Sequence, residues 1–172
     1  MSAQNCDSCG KAKNFLECEL CEESVCKSCV QFVGENTFSF LEEIPEQLTH
    51  RNYCQHCYDA EVAPELDKYN EVMEQAKQIL VFFTAQRKEI PLIKKARTSY
   101  HVPKCGDRDE TILRLGFLAA RDGFNAVIHV EVNSRKVRNE AYQTSEWFGT
   151  GVPAMVDEKR VALQDKQNEM YR

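Results

Sequence analysis

The sequence of 172 residues predicts an α+β fold whose two parts are joined by a helix. Eight of its nine cysteines stand as Cys-x-x-Cys pairs near the N-terminus, which indicates a small module held together through its cysteines. After Pro64, apolar residues recur every three or four positions, as on one face of a helix. Beyond this helix, strand-like and helix-like segments alternate, which predicts a small antiparallel α/β domain. We therefore assign a cysteine-rich domain to residues 1–60, a linker helix to 61–88, the α/β domain to 89–157 and a polar C-terminal tail to 158–172.

The four cysteine pairs have one spacing and are separated by 8, 4 and 24 residues: Cys6/Cys9, Cys18/Cys21, Cys26/Cys29 and Cys54/Cys57. Met1–Cys6 has no basic, apolar or cleavable signal pattern, so we expect a cytoplasmic protein, and the reducing cytosol disfavours disulfides. The tighter cysteine run of bacterial ferredoxins is absent. A Cys-x-x-Cys turn places two thiolates on one edge of a tetrahedron, so two turns complete a closed zinc site. We therefore predict two Zn²⁺ ions, with iron or disulfides as the alternatives.

The pairs can be shared between the two ions in two ways. In a sequential arrangement, neighbouring pairs bind the same ion. In a cross-brace, one Zn²⁺ is bound by Cys6, Cys9, Cys26 and Cys29, and the other by Cys18, Cys21, Cys54 and Cys57. The four-residue gap places the middle pairs on neighbouring turns, which favours separate ions and therefore the cross-brace. Either arrangement leaves no open position for water or substrate, which predicts a structural role for the metal.

Over residues 6–58 the cysteine pattern resembles the FYVE zinc finger and its relatives. That family also has four pairs with four residues between the second and third, and an Arg and an aromatic residue flank its last pair, as Arg51 and Tyr58 do here. The resemblance implies a treble-clef module with the cross-brace arrangement. One extra residue separates Arg51 from the cysteine that follows it. RING-type ubiquitin ligases are less similar, because a His normally occupies one of their middle ligand positions.

The sequence departs from the FYVE family where lipid would bind. Phosphoinositide-binding members carry a basic run around the third cysteine, whereas residues 14–19 read NFLECE and contain no basic residue. The upstream Trp-x-x-Asp is also missing, because Trp147 is the only Trp. Residues 1–63 hold four Lys and Arg against eleven Asp and Glu, and an acidic face repels nucleic-acid phosphates and anionic lipids. We therefore expect neither nucleic acid nor membrane as a partner.

The remaining segments predict the core and the second domain. A Phe-rich stretch forms either core over the zinc sites or an exposed patch for a partner, with packing favoured: Phe32, Phe38, Phe40 and Leu41. A helix over residues 64–84 carries an apolar seam for packing on its own domain or for self-association: Leu66, Tyr69, Met73, Ala76, Leu80 and Phe83. The α/β domain is predicted to contain strands at Ile90–Tyr100, Asn125–Val132 and Glu140–Val156, a helix at Asp107–Asp122, a turn at Asn133–Asn139 and a terminal helix from Asp157.

The segment Gly123–Val132, GFNAVIHVEV, followed by Ser145–Val152, resembles the YbjQ-type family of small bacterial α/β domains. Phe124 stands where that family has Ala, and GTGV replaces its closing Gly-Thr-Ala-Val. The resemblance covers residues 108–156 and implies a homo-oligomer, since members form rings. The family is often labelled heavy-metal-binding, but this segment contains no Cys and only one His, His129.

No Ser-His-Asp or Cys-His arrangement, phosphate-binding loop or dinucleotide motif is present, and we expect no enzymatic activity. The isolated pair His101 and Cys105 offers too few ligands for a metal site. The first functional hypothesis is a zinc-binding, non-catalytic protein that serves as a protein–protein interaction or oligomeric scaffold module for unidentified protein partners. The alternative is a small-molecule- or metal-responsive protein that binds its ligand through the YbjQ-like domain. A membrane or phosphoinositide binder, by analogy with FYVE fingers, is the weakest hypothesis.

Overall fold

A computed structural model describes residues 5–11, 15–86, 89–139 and 142–170. The chain divides into two compact units, Met1–Glu71 and Val72–Arg172. Both helices and sheets are present, which confirms the predicted α+β class. The domain limits assigned from the sequence state which segments fold independently. The two compact units do not test that, so the limits remain predictions.

The first unit consists of two short antiparallel ribbons and a series of helical turns. Its elements are β1 (Phe15–Glu17), β2 (Ser24–Cys26), β3 (Gln31–Phe32), a 3₁₀ turn (Glu46–Leu48), β4 (Asn52–Tyr53), α1 (Gln55–Cys57), a π-helical turn (Tyr58–Val62) and the larger part of α2 (Ala63–Ala76), whose last residues belong to the second unit. β1 pairs with β2, and β3 pairs with β4. The last three helical segments follow one another without a break, so Cys54, the N-cap of α1, and Cys57 stand at the start of a longer helical stretch.

The apolar core of the first unit is small. Tyr53 is fully buried, and its hydroxyl donates a hydrogen bond to the Gln47 carbonyl at 2.8 Å. Phe38 is buried and meets the Tyr69 ring edge-on, with ring centroids 5.4 Å apart. Phe32, by contrast, is 65% exposed, so the Phe-rich stretch is split between core and surface. A core of this size does not stabilise a domain alone, and metal binding is the usual supplement.

The second unit is a five-stranded mixed sheet with two helices. Its elements are β5 (Leu80–Phe83), β6 (Leu92–Lys95), β7 (Tyr100–Cys105), α3 (Arg108–Arg121), β8 (Ala126–Asn139), β9 (Tyr142–Val156) and α4 (Glu158–Met170). β8 and β9 form a long antiparallel hairpin, and β5 adds parallel to β8. β6 and β7 both pair antiparallel with β9, along successive parts of its other edge. Four of the strands therefore confirm the predicted antiparallel sheet, and β5 departs from it.

The two helices cover opposite faces of this sheet. Leu115 and Ala119 of α3 pack with Val127 and Val130 of β8 in one buried cluster. Alternate residues of β8 point to the other face and join Val161 of α4 in a second cluster. Among the residues that the structure describes, no helix is long and apolar enough to cross a lipid bilayer.

The helix predicted over residues 64–84 is wrong at its C-terminal end. It ends at Ala76 instead of residue 84, and Leu80–Phe83 form β5. The Leu80 N–H donates to the Asn125 carbonyl at 3.0 Å, and the strand then pairs with β8. A short apolar run satisfies a helical or an extended pattern equally well, and here the neighbouring strand decides.

Other element boundaries in the second unit also differ from the prediction. The predicted strand Ile90–Tyr100 is two strands, β6 and β7. The predicted turn Asn133–Asn139 continues β8, because these residues pair with β9 as far as the Asn139–Tyr142 pair. The predicted terminal helix from Asp157, by contrast, is confirmed as α4, which spans Glu158–Met170. Residue 14, the predicted strand start at Glu140 and residues 171–172 lie outside the described residues.

Candidate metal centres

The fold brings the first cysteine pair to the third and the second pair to the fourth. In each group the four Sγ atoms all lie within 4.8 Å of one another: Cys6, Cys9, Cys26 and Cys29 in the first cluster, and Cys18, Cys21, Cys54 and Cys57 in the second. This is the grouping of the cross-brace, and the sequential arrangement does not occur. Within the described ranges, no third group of three or more candidate ligands meets the same spacing.

The spacing of the sulfurs fits a tetrahedral ion. Four sulfurs at about 2.3 Å from a central Zn²⁺ stand about 3.8 Å from one another in a regular tetrahedron. The Cys9 and Cys26 sulfurs are 3.7 Å apart, and so are those of Cys21 and Cys54. Both distances join sulfurs from different pairs, so the fold itself sets them. Soft thiolate ligands in this geometry are typical of zinc and of iron–sulfur sites.

Each of the four pairs lies on its own backbone turn, and the four turns are of the same kind. The carbonyl of the first cysteine accepts a hydrogen bond from the N–H four residues later, at 2.7, 2.8, 3.1 and 3.0 Å for the turns that begin at Cys6, Cys18, Cys26 and Cys54. The turns at Cys26 and Cys54 follow the strands β2 and β4 directly. The turn at Cys18 also follows a strand, β1, and lies in the loop between β1 and β2, whereas the turn at Cys6 precedes β1. We call the turns at Cys6 and Cys18 the loop turns, and each cluster combines one of them with the turn at the end of β2 or β4.

The two loop turns share a further feature, a left-handed residue at their fifth position. Gly10 has φ of 70° and Glu22 has φ of 63°. Glycine adopts this conformation without steric cost, whereas a side chain at the same place is strained. The backbone requirement is therefore the same in both turns, and only the first meets it with glycine.

A carboxylate next to the first cysteine of each loop turn holds the partner segment. In the first site, Asp7 follows Cys6. Its N–H donates to the Ser24 carbonyl at 3.0 Å, and its carboxylate accepts from the Ser24 N–H at 2.9 Å. Ser24 stands two residues before Cys26, so these bonds tie the first turn to the third.

The second site repeats this contact, with two hydrogen bonds to the carboxylate instead of one. The Glu19 N–H donates to the Asn52 carbonyl at 2.9 Å. Its carboxylate accepts from the Arg51 N–H and from the Asn52 side-chain amide, each at 2.8 Å. Asn52 stands two residues before Cys54, as Ser24 does before Cys26. We call the contacts of Asp7 and Glu19 the carboxylate clamps.

Sequence reasoning did not identify the clamps, although a signal was present. Both loop turns read Cys-acid-x-Cys, as Cys6-Asp7-Ser8-Cys9 and Cys18-Glu19-Leu20-Cys21. By composition alone, these acids only add to the negative charge of residues 1–63. The repeated position after the first cysteine of the first two pairs could have singled them out.

Hydrogen bonds and burial divide the thiols into those that ionise readily and those that retain a proton. The Cys26 N–H donates to Cys6 Sγ at 3.3 Å and lowers the pKa of Cys6 to about 6. Burial opposes ionisation of Cys18, but backbone N–H groups, led by that of Cys21, lower its pKa to about 7. The hydrogen bond with the Cys26 thiol raises the pKa of Cys29 to about 12. Such close thiols cannot all ionise without a cation between them, so an ion that binds here displaces protons.

The other candidate ligands lie outside the two clusters. His50 Nδ1 is 3.8 Å from the Glu19 carboxylate, and His56 is exposed on α1. Cys105, the ninth cysteine, is buried in the second unit, and burial raises its pKa. His101 is exposed on β7. The eight clustered cysteines therefore form the candidate metal centres.

Comparison of the chain with protein-family models, with curated proteins and with solved structures finds no match. Two clusters of four cysteines at metal-binding distance nevertheless indicate a double zinc-finger-like module in the first unit.

Proposed function

We propose that this chain is a non-catalytic zinc protein that acts as a protein–protein interaction or scaffold module. Its first unit would be a FYVE-like treble clef that binds two Zn²⁺, and its second unit a YbjQ-like domain that assembles into homo-oligomers. The observation that carries the proposal is the pair of four-cysteine clusters, whose sulfurs stand at tetrahedral spacing. Four protein ligands complete the coordination of zinc, which supports a structural role over a catalytic one.

The proposal excludes lipid-headgroup binding by the first unit. Glu19 lies beside Cys18, close to where FYVE fingers that read phosphoinositides carry basic residues. Its carboxylate is occupied by the Arg51 N–H and the Asn52 amide. The Glu19 carboxylate would repel an anion at this surface, and the fold uses this carboxylate for the two hydrogen bonds.

Metal stoichiometry of the full chain tests the zinc assignment. Native mass spectrometry should find two zinc ions per chain, one after Cys57→Ala, and two after Cys105→Ala, which serves as the control because Cys105 lies in neither cluster. A chain purified with no zinc, or with an iron–sulfur absorption spectrum, would contradict the proposal. Light scattering tests assembly, and a monomer at high protein concentration would remove the scaffold role.

A further inference from the structure

One edge of the sheet in the second unit is strongly basic. β6 and β7 run along the outer edge of β9, and residues 91–106 contain no Asp or Glu. Five basic side chains of this stretch are exposed: Lys94, Lys95, Arg97, His101 and Lys104. The chain as a whole has a formal net charge of −5, so the positive charge of this edge is opposite to the net charge of the protein.

These charges are not neutralised by nearby acids in the part of the chain that the structure describes. Lys94, Lys95 and Arg97 form no ion pair with a described residue. Two acids lie near the β7 end of the edge: Glu146, in a surface depression that it shares with His101 and Lys104, and Glu110, which accepts from the Gly106 N–H at 2.7 Å and is paired with Arg114. Glu146 is already paired with Arg135. The edge therefore presents an uncompensated positive field to a partner.

The two strands of this edge differ in whether another strand can pair with them. β7 contains Pro103, which has no N–H, and Lys104 with φ of 57°, where the register with β9 shifts. Proline and bulges are devices that block pairing at a sheet edge. The register of β6 with β9 also shifts, between Leu92 and Lys94, but β6 has no proline and no residue with a positive φ, and all four of its residues are exposed. Leu92 is 44% and Ile93 68% exposed. A strand that served only to prevent pairing at the edge would not expose large apolar side chains there.

We propose that the β6 edge binds an extended acidic peptide, which adds to the sheet as a further strand. Main-chain hydrogen bonds would supply the pairing, Lys94 and Lys95 would attract acidic side chains, and Leu92 and Ile93 would contact apolar ones. A peptide is favoured over a nucleic acid because only a peptide backbone matches the alternating N–H and C=O groups of a strand. The inference names a partner class for the proposed interaction role and rests on that role.

An NMR titration of the zinc-loaded full chain tests this inference. The probe is an octapeptide in which Glu and Val alternate, and we expect amide shifts concentrated in β6 and the residues that follow it. A second probe replaces one central Val by Pro, which keeps the charge but removes strand pairing, and it should bind at least about tenfold more weakly. A third probe in which Lys replaces Glu should not bind.

Charge-reversal variants locate the surface. The double variant Lys94→Glu and Lys95→Glu should weaken binding of the first peptide by about tenfold or more, because two attractions become repulsions. The matched control is Lys159→Glu with Lys166→Glu, which makes the same charge change at exposed positions of α4. The control should bind within about a factor of two of the unaltered protein.

Three results would overturn the inference. If the Pro-containing peptide or a single-stranded oligonucleotide binds as tightly as the first peptide, the edge is a general polyanion surface. If no β6 amide shifts, the lysines only protect the edge from aggregation. If both charge-reversal variants weaken binding equally, the peptide responds to net charge. Zinc content is measured on the same samples, so loss of the zinc proposal and loss of the peptide site are separate outcomes.

Discussion

Replacing Glu19 by alanine tests whether a carboxylate clamp sustains the second metal centre. The Glu19 carboxylate accepts two hydrogen bonds at 2.8 Å, from Arg51 and Asn52, just before Cys54. A hydrogen bond to a charged group is worth about 1.5–3 kcal/mol, and less at exposed positions where water replaces it. Because the side chain is 38% exposed, we expect a loss of about 1–2 kcal/mol for both bonds together. Zinc affinity at the second site should then fall about five- to thirtyfold.

The assay must separate the two sites, since both have four thiolate ligands. We would load the protein with cadmium, record its cadmium NMR spectrum and titrate with a chelator. Each site gives its own resonance, and Glu19→Ala should lose the resonance of the second cluster at lower chelator concentration than the unaltered protein. The resonance of the first cluster, which Asp7 supports, should titrate as before.

Glu23→Ala is the matched control. It removes the same charge four residues away, and the Glu23 carboxylate forms no hydrogen bond with the described residues. Removing either acid weakens the attraction for a divalent cation, but only Glu19→Ala removes hydrogen bonds. Equal losses in the two variants, or an equal loss at both metal sites, would refute the clamp and leave only a long-range charge effect.

Three further predictions concern both units. Glu22→Gly should stabilise the zinc-loaded first unit by about 1 kcal/mol and Gly10→Ala should destabilise it by a similar amount, because both positions are left-handed; thermal shifts of the same sign would contradict this. Gly149→Ala would place Cβ 2.7 Å from a side-chain carbon of α3 and should cost about 1–3 kcal/mol. At Gly106 the nearest atom is the far end of the Glu110 side chain at 3.2 Å, so alanine there should cost less, and equal urea midpoints for the two variants would refute the packing argument. Chelation of zinc should unfold the first unit but leave the fluorescence of Trp147, which lies in the second unit, unchanged; a shift of its emission would show that the second unit depends on metal.

The candidate metal ligands could be predicted from the sequence because their chemistry is local. A Cys-x-x-Cys turn orients two thiolates whatever the rest of the chain does, so eight ligands could be named from spacing alone. Their division into two clusters could not be derived from the spacing, because the sequential and the cross-brace arrangements both satisfy it. The fold decides it through contacts between distant residues, such as the bonds of Asp7 to Ser24 and of Glu19 to Asn52.

The second unit illustrates the limits of periodicity. Leu80 and Phe83 continue the three- and four-residue spacing of α2 by coincidence, and the sequence therefore predicts helix where β5 forms. The polar segment Asn133–Asn139 lacks the apolar alternation of a half-buried strand, yet it pairs with β9 along its length. The hydrogen bonds that decide β5 come from β8, which is distant in sequence, whereas those of Asn133–Asn139 come from the next strand of the same hairpin. The apolar pattern of neither segment reports these partners.

The sequence by itself determined the α+β class, the eight candidate ligands and the acidity of the cysteine-rich part, because composition and short-range spacing suffice for each. Only the tertiary structure decided which cysteines share a site, which acids serve as clamps and which sheet edge is left unpaired. These features depend on distances between residues 17 to 33 positions apart in the first unit, and on the order of strands in the second. Pairing between distant residues costs chain entropy, and only the contacts of the whole fold compensate for that cost. Such pairing is therefore seen only in the structure.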